Sequence, residues 1–375
     1  MDYALSQLCE QVMTARANLQ AIEIVGGGTK QFYGNPMPAN ANVTRLDMAG
    51  ISGIVTYEPS ELVVTAMAGT PLADIEAVLA EKGQMLAFDP PRLGQTSTIG
   101  GVVASGLSGP LSFGYGPLRH YVLGAHLLDA QGRILKFGGE VMKNVAGYDV
   151  SRLLTGSLGM FGVIVQVSVK VLPVPMHDVT VVLELNEQQA LERCAGLRAK
   201  AMPIKAAAWL PAAGSTVGQL AIRLCGAESA VEQAKRFFGG QVLSPENAGA
   251  WWDGFRDQSA EFFARGPIWR LAVRAQTPAL ELGPTAFDLG GEVRWVAGSD
   301  EGAAADVQVD VQQMRTAASN AGGHAMLFRG SEASLVPIDG VFQPMAPAAR
   351  AIVQRLKKEF DPKSIFNPGR LVAGI

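Results

Sequence analysis

The sequence predicts an α+β protein with a glycine-rich N-terminal domain, followed by a domain built on an antiparallel sheet with helices on one face. Three observations predict this fold class. Glycine accounts for 43 of the 375 residues and is dense between Gly94 and Gly162. Pro173 and Pro175 indicate a domain boundary. From residue 177 onward, the patterns follow a strand–helix–strand–strand–helix order.

Elements of the first domain follow from alternating apolar residues and turn residues. Strands are predicted at residues 21–25, 54–57, 62–68, 122–130, 133–137 and 162–172. A mildly amphipathic helix is predicted over residues 1–19. A second helix is predicted from Pro71, because Thr70 suits an N-cap and Pro71 suits the first helical turn, with Gly83 ending it.

The second domain is predicted in the same way. Strands are expected at residues 177–185, 206–210, 219–224 and 324–328, and helices at residues 187–202, 228–238 and 310–321. A last helix is expected at residues 348–360. The predicted division is 1–173 for the first domain, 174–340 for a ferredoxin-like α+β domain, and 341–375 for a C-terminal segment.

Composition excludes several classes of protein. The net charge of −3 and the lack of a basic run argue against nucleic-acid binding. No apolar stretch has the length of a membrane-spanning helix, and the N-terminus lacks the features of a secretion signal. Cys9, Cys194 and Cys225 are far apart, which predicts reduced, buried thiols and no iron–sulfur site. The expected location is therefore the cytoplasm, with any membrane contact made through partners.

The first candidate site is the turn Gly26-Gly27-Gly28, directly after the first strand. Without Cβ atoms, successive backbone N–H groups can surround a phosphate or pyrophosphate. Taken alone, the pattern is equally typical of a plain tight turn.

Two familiar phosphate-binding patterns are absent. The dinucleotide fingerprint would need glycine where Gln31 stands, and the chain contains no Gly-Lys dipeptide for a Walker A loop. Ser157 resembles the serine of a nucleophile elbow, but the first glycine of that motif is missing, so Ser157 is interpreted as structural.

Two further glycine clusters follow the first. The second joins residues 89–92 (DPPR) to residues 97–106 (STIGGVVASG) and continues through Gly109 to Gly116. The third covers residues 143–149 and 156–164. Small residues let the backbone lie against a flat or anionic ligand, and serine and threonine add hydroxyl donors. For the second cluster, a packed helix with small interfacial residues is the alternative. Three such clusters ahead of a separate antiparallel domain form a distinctive order.

This order resembles the FAD-binding domain of the vanillyl-alcohol oxidase and p-cresol methylhydroxylase (PCMH) superfamily. Within it, residues 139–149 (GEVMKNVAGYD), 320–324 (NAGGH) and 366–370 (FNPGR) are similar to the family of glycolate oxidase FAD-binding subunits. The resemblance extends over nearly the whole chain. It implies a two-subdomain PCMH-type FAD-binding domain, a cap domain, and a C-terminal segment that returns to the FAD domain.

The resemblance also implies which residues contact FAD. These are Gly26, Gly27, Gly28, Thr29, Lys30, Pro90, Thr98, Ile99, Gly100, Gly101, Ser105, Gly159, Gly162, Val163, Ile164, Asn367 and Arg370. Members that attach flavin covalently often carry histidine just after the glycines, where this chain has Thr29, so non-covalent FAD is predicted. Arg370 or Lys143 is a candidate cation beside reduced FAD, with an ordinary surface charge as the alternative.

The chain departs from its relatives in its supply of histidine. Related FAD-linked D-lactate dehydrogenases and the larger glycolate oxidase subunit carry a histidine pair and a carboxylate that bind metal. Here only His324 lies in the C-terminal half, so no metal site is predicted and no catalytic residue is assigned. His324 is either a lone base or structural. Arg270 and Arg294, in predicted cap strands, are either carboxylate clamps or members of ordinary salt bridges.

Three functions are consistent with the sequence. The first is an FAD-binding subunit of a glycolate oxidase complex, supporting assembly or electron transfer beside a sister FAD-linked catalytic subunit and an iron–sulfur subunit. The second is a stand-alone FAD-linked 2-hydroxy-acid dehydrogenase, which the missing metal site disfavours. The third is a scaffold with a structural or vacant flavin site, which the intact glycine loops disfavour.

Overall fold

The computed structural model describes residues 2–38, 42–139, 149–298, 304–330 and 339–375. Most of the predicted motif at 139–149, including Lys143, lies outside these residues. Contacts within the chain divide it into two compact units. Unit 1 comprises residues 1–107, 117–173 and 344–375, and unit 2 comprises residues 108–116 and 174–343.

Within the described residues, the chain forms ten α-helices and seventeen strands. In the first half they are α1 (Asp2–Ala17), β1 (Ala21–Val25), β2 (Val43–Asp47), β3 (Ile54–Glu58), β4 (Val63–Met67), α2 (Leu72–Ala80), β5 (Gln84–Met85), α3 (Ile99–Ser105), α4 (Ser112–Tyr115), β6 (Val122–Leu128), β7 (Ile134–Gly138), α5 (Val150–Leu154), β8 (Val163–Lys170) and β9 (Leu172–Pro173). In the second half they are β10 (His177–Asn186), α6 (Glu187–Cys194), β11 (Ile204–Pro211), β12 (Val217–Gly226), α7 (Glu228–Phe238), β13 (Gln241–Val242), α8 (Pro245–Arg256), β14 (Ile268–Ala272), β15 (Thr285–Asp288), β16 (Val293–Ala297), α9 (Ala304–Asn320), β17 (His324–Arg329) and α10 (Pro347–Phe360).

Unit 1 combines a small parallel pair of strands with a larger antiparallel sheet. Strands β1 and β2 pair in parallel, from Ala21 opposite Val43 to Val25 opposite Asp47. A five-stranded sheet has the order β3-β4-β8-β6-β7, and each neighbouring pair is antiparallel. Phe366, in the C-terminal segment, bridges to Ile22 of β1. This bridge carries the end of the chain back to the strand that precedes the three glycines.

Unit 2 is built on one eight-stranded sheet with the order β13-β10-β12-β11-β15-β16-β14-β17, in which the neighbouring strands are antiparallel. Helices α6 and α7 supply Ala190 and Val231 to a core against this sheet, and α9 supplies Met314 to a second core. The antiparallel sheet and these helices confirm the predicted fold class.

The prediction of helices on one face is incomplete, because α8 lies on the other face of the sheet. Val181 packs with α6 and α7, whereas the adjacent Thr180 accepts a hydrogen bond of 2.8 Å from the indole of Trp252 on α8. Adjacent strand residues point to opposite faces. Aromatic residues after α8 continue this layer, since the ring of Phe263 lies 5.8 Å from that of Trp295.

Residues 108–116 group with unit 2, although the predicted boundary placed them in the first domain. The physical reason is the packing of α4 on β11. Arg198 donates a hydrogen bond of 2.7 Å to the backbone oxygen of Phe113, and its guanidinium lies 4.2 Å from the Phe113 ring centroid. Gly114 is close to Lys205, where a Cβ would lie 2.7 Å from the Lys205 Cα.

Two local predictions are wrong in detail. Thr70 does not cap α2. Its hydroxyl instead donates to the backbone oxygen of Met67 at 2.6 Å and accepts a hydrogen bond from the N–H of Gly53. The helix predicted at 187–202 ends at Cys194, where the chain turns into the short 3-10 helix Leu197–Ala199. No helix among the described residues is long and apolar enough to cross a membrane.

The three cysteines are free thiols, although only Cys194 and Cys225 are buried and Cys9 is partly exposed. Burial raises the pKa of Cys194 and of Cys225 to about 12. The thiolate is the reactive form, and at pH 8 such thiols are ionised in only about one molecule in ten thousand. We expect a disulfide reagent to label Cys9 alone in the native protein and all three thiols in urea. In a Cys9→Ser variant, rapid native labelling would contradict this expectation.

Candidate functional site

Unit 1 contains an open cleft where the first and third glycine clusters, α3 and the C-terminal segment meet. Its empty volume, including the mouth, is about 860 Å³. The cleft begins where β1 ends in the three glycines.

The glycine turn is pressed against the loop before α3. A Cβ at Gly26 would lie 2.5 Å from the hydroxyl oxygen of Thr98, and a Cβ at Gly27 would overlap the backbone oxygen of Thr96. The Thr96 hydroxyl donates a hydrogen bond of 2.6 Å to the backbone oxygen of Gly27. Glycine is therefore required here by contact between two backbone segments.

The same turn presents a row of unpaired donors. Within the described residues, the backbone N–H groups of Gly26, Gly27, Gly28 and Thr29 donate to no protein acceptor. All four residues line the cleft. Successive N–H groups of this kind form an anion-binding concavity, so the turn fits a pyrophosphate.

Lys30 places a cation at the end of this row. Its Nζ donates to three neutral oxygens, the hydroxyls of Ser97 at 2.8 Å and Thr29 at 3.2 Å and the backbone oxygen of Arg92 at 3.1 Å. These three bonds hold the ammonium group in place. A cation so held favours an anionic ligand in the cleft.

The second cluster forms α3, and the first three backbone donors of this helix are used within the protein. The N–H groups of Ile99 and Gly100 donate to Thr70 and Ala68 at 3.1 Å and 2.8 Å, and that of Gly101 donates to the hydroxyl of Thr98 at 3.3 Å. The cluster is therefore a packed helix whose residues Thr98, Gly100, Gly101 and Ser105 also line the cleft. α3 contributes shape to the cleft, since a Cβ at Gly100 would lie 2.6 Å from that of Ala68.

The third cluster is held by Asn367 of the C-terminal segment. The Asn367 side chain donates to the backbone oxygen of Leu158 at 2.6 Å and accepts from the N–H of Ile24 at 2.9 Å. Gly159 has a φ of 72°, and a Cβ there would lie 2.8 Å from the Asn367 amide nitrogen. One buried amide thus fixes β1 relative to the third cluster.

A buried ion pair supports this arrangement. Lys357 of α10 donates to the carboxylate of Asp361 at 2.7 Å, to the backbone oxygen of Met160 at 2.7 Å and to that of Phe366 at 2.8 Å. Asp361 also accepts from the N–H groups of Ile365 and Phe366. The pair therefore joins α10, the third cluster and the segment that carries Asn367.

Arg370 is the second cation in the cleft lining. Its guanidinium donates to the backbone oxygens of Gln31 at 3.0 Å and Tyr33 at 2.9 Å. Burial lowers the pKa of Arg370, and the negative charge of Glu23 opposes this shift. Because Glu23 also lines the cleft, the lining carries two cations and one carboxylate.

Most of the predicted site residues line this cleft. They are Gly26, Gly27, Gly28, Thr29, Lys30, Thr98, Gly100, Gly101, Ser105, Gly159, Gly162, Ile164, Asn367 and Arg370. Pro90, Ile99 and Val163 lie outside the lining. Val163 points away because it alternates along β8 with Ile164, and the side chain of Ile99 is fully buried.

Sequence reasoning missed some lining residues, among them Glu23, Met48, Ala68 and Leu158. Glu23 had a signal, because it lies on the predicted strand directly before the glycines. The sequence carried no such signal for Met48, because the strand β2 that precedes it was not predicted. Its place in the cleft depends on the parallel pairing of β1 with β2.

Comparison with known proteins identifies the family to which the chain belongs. A family model described as an FAD binding domain matches residues 5–138. The glycolate oxidase subunit GlcE of Escherichia coli is 38% identical over 374 residues, which cover 99% of this chain and 98% of that protein. The chain belongs to the GlcE family. It is accordingly a member of an FAD-binding oxidoreductase family, and its cofactor is FAD.

Two further similarities are to other proteins. The glycolate oxidase subunit GlcD of Bacillus subtilis is 32% identical over 150 residues, which cover 40% of this chain and 31% of that protein. A solved structure of alkyldihydroxyacetonephosphate synthase has a TM-score of 0.68 at 15% identity, covering 97% of this chain and 74% of that one. The latter similarity shows a shared fold.

The described residues contain no group of three or more histidine, cysteine, aspartate or glutamate side chains arranged to hold a metal ion. His324 lies at the start of β17 in unit 2. Partial desolvation and the positive charge of Arg270 lower the pKa of His324, which favours the neutral imidazole at pH 7.

Proposed function

We propose that this chain is the FAD-binding subunit of a multi-subunit glycolate oxidase, which converts glycolate to glyoxylate. The observation that carries this proposal is the 38% identity to GlcE along 99% of the chain. The cleft supports it, because its unpaired N–H groups and its two cations suit a pyrophosphate-bearing cofactor. The similarity to GlcD of part of the same chain supports a sister FAD-linked catalytic subunit as the partner.

In this proposal the residues of the cleft have distinct tasks. The N–H groups of residues 26–29 and the ammonium of Lys30 bind the pyrophosphate of FAD. Asn367 holds the third cluster beside β1, and Arg370 holds a positive charge in the cleft lining. When bound, FAD supplies the two-electron acceptor of the reaction, and a nearby cation stabilises negative charge on its reduced form.

The next electron carrier would belong to a partner, because the described residues offer no cluster ligands. The three cysteines are separated in sequence, and two of them are buried in the core of unit 2. We therefore assign the next electron carrier to an iron–sulfur subunit of the complex. This chain then contributes a flavin and a surface for assembly.

Anaerobic addition of glycolate tests the proposal. The chain is purified alone and with its partner subunits, and its flavin absorbance is recorded. We expect a yellow protein whose flavin stays oxidised until the partners are present. Reduction of the flavin in the isolated chain would instead establish a self-sufficient 2-hydroxy-acid dehydrogenase. A colourless chain that restores activity to the complex would establish a scaffold without flavin.

The flavin is expected to be released by acid. The cleft lining of the described residues contains no histidine, cysteine or tyrosine, and Thr29 follows the glycines where covalently flavinylated relatives often carry histidine. After precipitation with trichloroacetic acid, the yellow colour should therefore appear in the supernatant. A pellet that keeps the chromophore would contradict non-covalent binding.

Replacement of Lys30 by methionine is expected to raise the dissociation constant of FAD about 10- to 100-fold, since a charged hydrogen bond contributes roughly 1.5–3 kcal/mol. Flavin fluorescence during titration of the apoprotein measures the change. Lys82→Met, at an exposed position of unit 1, is the matched control and should bind like the wild type. Equal affinities for the Lys30 and Lys82 variants would remove Lys30 from the site.

A further inference from the structure

Lys30, a cation in the cleft lining, is held from one side by the segment that precedes α3. This segment, residues 92–97, is the 92–97 loop. It supplies two of the oxygens that accept from the ammonium group, the backbone oxygen of Arg92 at 3.1 Å and the hydroxyl of Ser97 at 2.8 Å. The position of the Lys30 charge therefore depends on the conformation of this loop.

The 92–97 loop has a conformation that its residues do not favour by themselves. Leu93 has a φ of 52° and Gly94 a φ of 140°, and the left-handed region is unfavourable for a residue with a Cβ such as leucine. The peptide between Arg92 and Leu93 carries the carbonyl that accepts from Lys30, so the φ of Leu93 helps to set the direction of that carbonyl. Conformations of this kind persist where contacts from other segments hold them.

Two contacts with α2 hold the 92–97 loop. At one end, the N–H of Leu72 donates a hydrogen bond of 2.8 Å to the backbone oxygen of Ser97. At the other end, the guanidinium of Arg92 donates twice to one carboxylate oxygen of Glu76, from Nη2 at 2.7 Å and from Nε at 3.2 Å. The Arg92 and Glu76 side chains are 41% and 26% exposed, so water competes with this ion pair only in part. The pair fixes the end of the loop that carries the acceptor for Lys30.

We propose that Glu76 and Arg92 are positioning residues for the cofactor, a role that rests on the proposed assignment of Lys30 to the FAD pyrophosphate. They act through the backbone oxygen of Arg92 on the ammonium group of Lys30. With the ion pair intact, the ammonium group is in place before the cofactor arrives, so less ordering remains to be done on binding. With the pair broken, the loop relaxes at Leu93 and the acceptor for Lys30 is displaced.

The sign of the effect separates positioning from simple electrostatics. Glu76 is negatively charged, and so is the pyrophosphate of FAD. If the carboxylate acted only through its electric field, removing its charge would strengthen FAD binding or leave it unchanged. Positioning predicts the opposite for Glu76→Gln. Because the ion pair is partly exposed, we expect the dissociation constant of FAD to rise about two- to fivefold.

Titration of the apoprotein with FAD, followed by flavin fluorescence, measures the dissociation constant of each variant. Asp74→Asn is the matched control, because it removes an exposed carboxylate from the same helix two positions away. This variant should bind FAD like the wild type or slightly more tightly. Equal weakening by Asp74→Asn and Glu76→Gln would assign the effect to α2 as a whole and would overturn the proposal.

A double-mutant cycle with Lys30→Met tests the route of the effect. Glu76→Gln should weaken FAD binding in the wild type and have no further effect in the Lys30→Met variant, because the Arg92 carbonyl then has no ammonium group to hold. Equal weakening in both backgrounds, or unchanged binding by Glu76→Gln, would overturn the positioning role. Wild-type affinity in Lys30→Met would count against the proposed task of Lys30 itself, whereas a loss in Lys30→Met without a loss in Glu76→Gln would count against the positioning pair alone.

Discussion

Replacement of Lys357 by methionine is expected to lower the free energy of unfolding of unit 1 by about 3–5 kcal/mol. Lys357 is 2% exposed and Asp361 is 0% exposed. Removing the lysine leaves a buried carboxylate without its cation, and it leaves the backbone oxygens of Met160 and Phe366 without a donor. The free-energy cost of leaving a buried polar group without its partner exceeds the stability that the intact pair contributes.

The change should also weaken FAD binding, because the pair supports the segment that carries Asn367. Urea denaturation monitored by flavin fluorescence reports unit 1, whereas tryptophan fluorescence reports unit 2, which contains all five tryptophans. Unit 1 should lose stability and unit 2 should change little.

Lys358→Met is the matched control for Lys357→Met. It lies at the next position of α10, where the side chain is exposed, so its effect should stay within about 0.5 kcal/mol. A double variant, Lys357→Met with Asp361→Asn, should lose less than the sum of the two single losses, because the residues are in direct contact. Similar stabilities for the Lys357 and Lys358 variants would show that the buried pair has no structural role.

Gly27→Ala is expected to abolish stoichiometric FAD binding. The new methyl group would overlap the backbone oxygen of Thr96, and a backbone segment moves less readily than a side chain. Relief requires the glycine turn to move away from residues 96–98, which costs about 1–3 kcal/mol and displaces the row of N–H groups. The flavin content of the purified protein, from its absorbance ratio, measures the loss.

Gly50→Ala is the control for the glycine turn. Gly50 lies in the turn after β2, and nothing would contact its Cβ within 4 Å. This variant should keep its flavin, and both variants should keep the tryptophan fluorescence of unit 2. Full flavin content in Gly27→Ala would show that the contact with Thr96 is not needed for the cofactor.

The sequence by itself determined the class of the protein and the parts of its cofactor site. Apolar patterning located β1 and β8, and glycines such as Gly27 and Gly100 are required by close contacts with backbone atoms of other segments. Such features depend on residues close in sequence, because a strand period or a turn is set by its own few residues. Pro173 at the end of β9 and Pro175 just after it likewise lie where unit 1 ends and unit 2 begins.

The tertiary structure alone decided which of these parts work together. The second cluster offered small residues and hydroxyl donors for a ligand, but the N–H groups of Ile99 and Gly100 donate to backbone oxygens in the turn at 68–70. The row of N–H groups without a protein acceptor therefore belongs to the first cluster. Asn367 connects residues that lie more than 200 positions away, as its bond to Leu158 shows. Pairing of this kind depends on how separate segments pack, and no local pattern records it.

The same distinction explains the two basic residues singled out in unit 2. As sequence, Arg270 and Arg294 were equivalent candidates on predicted strands. In the structure they point to opposite faces of the sheet: Arg294 is buried and donates to the backbone oxygen of Thr277 at 2.6 Å, whereas Arg270 has no such partner among the described residues. Alternation along the strands places the two side chains on opposite faces, but the packing of α6 and α9 decided that Arg294 is the buried one.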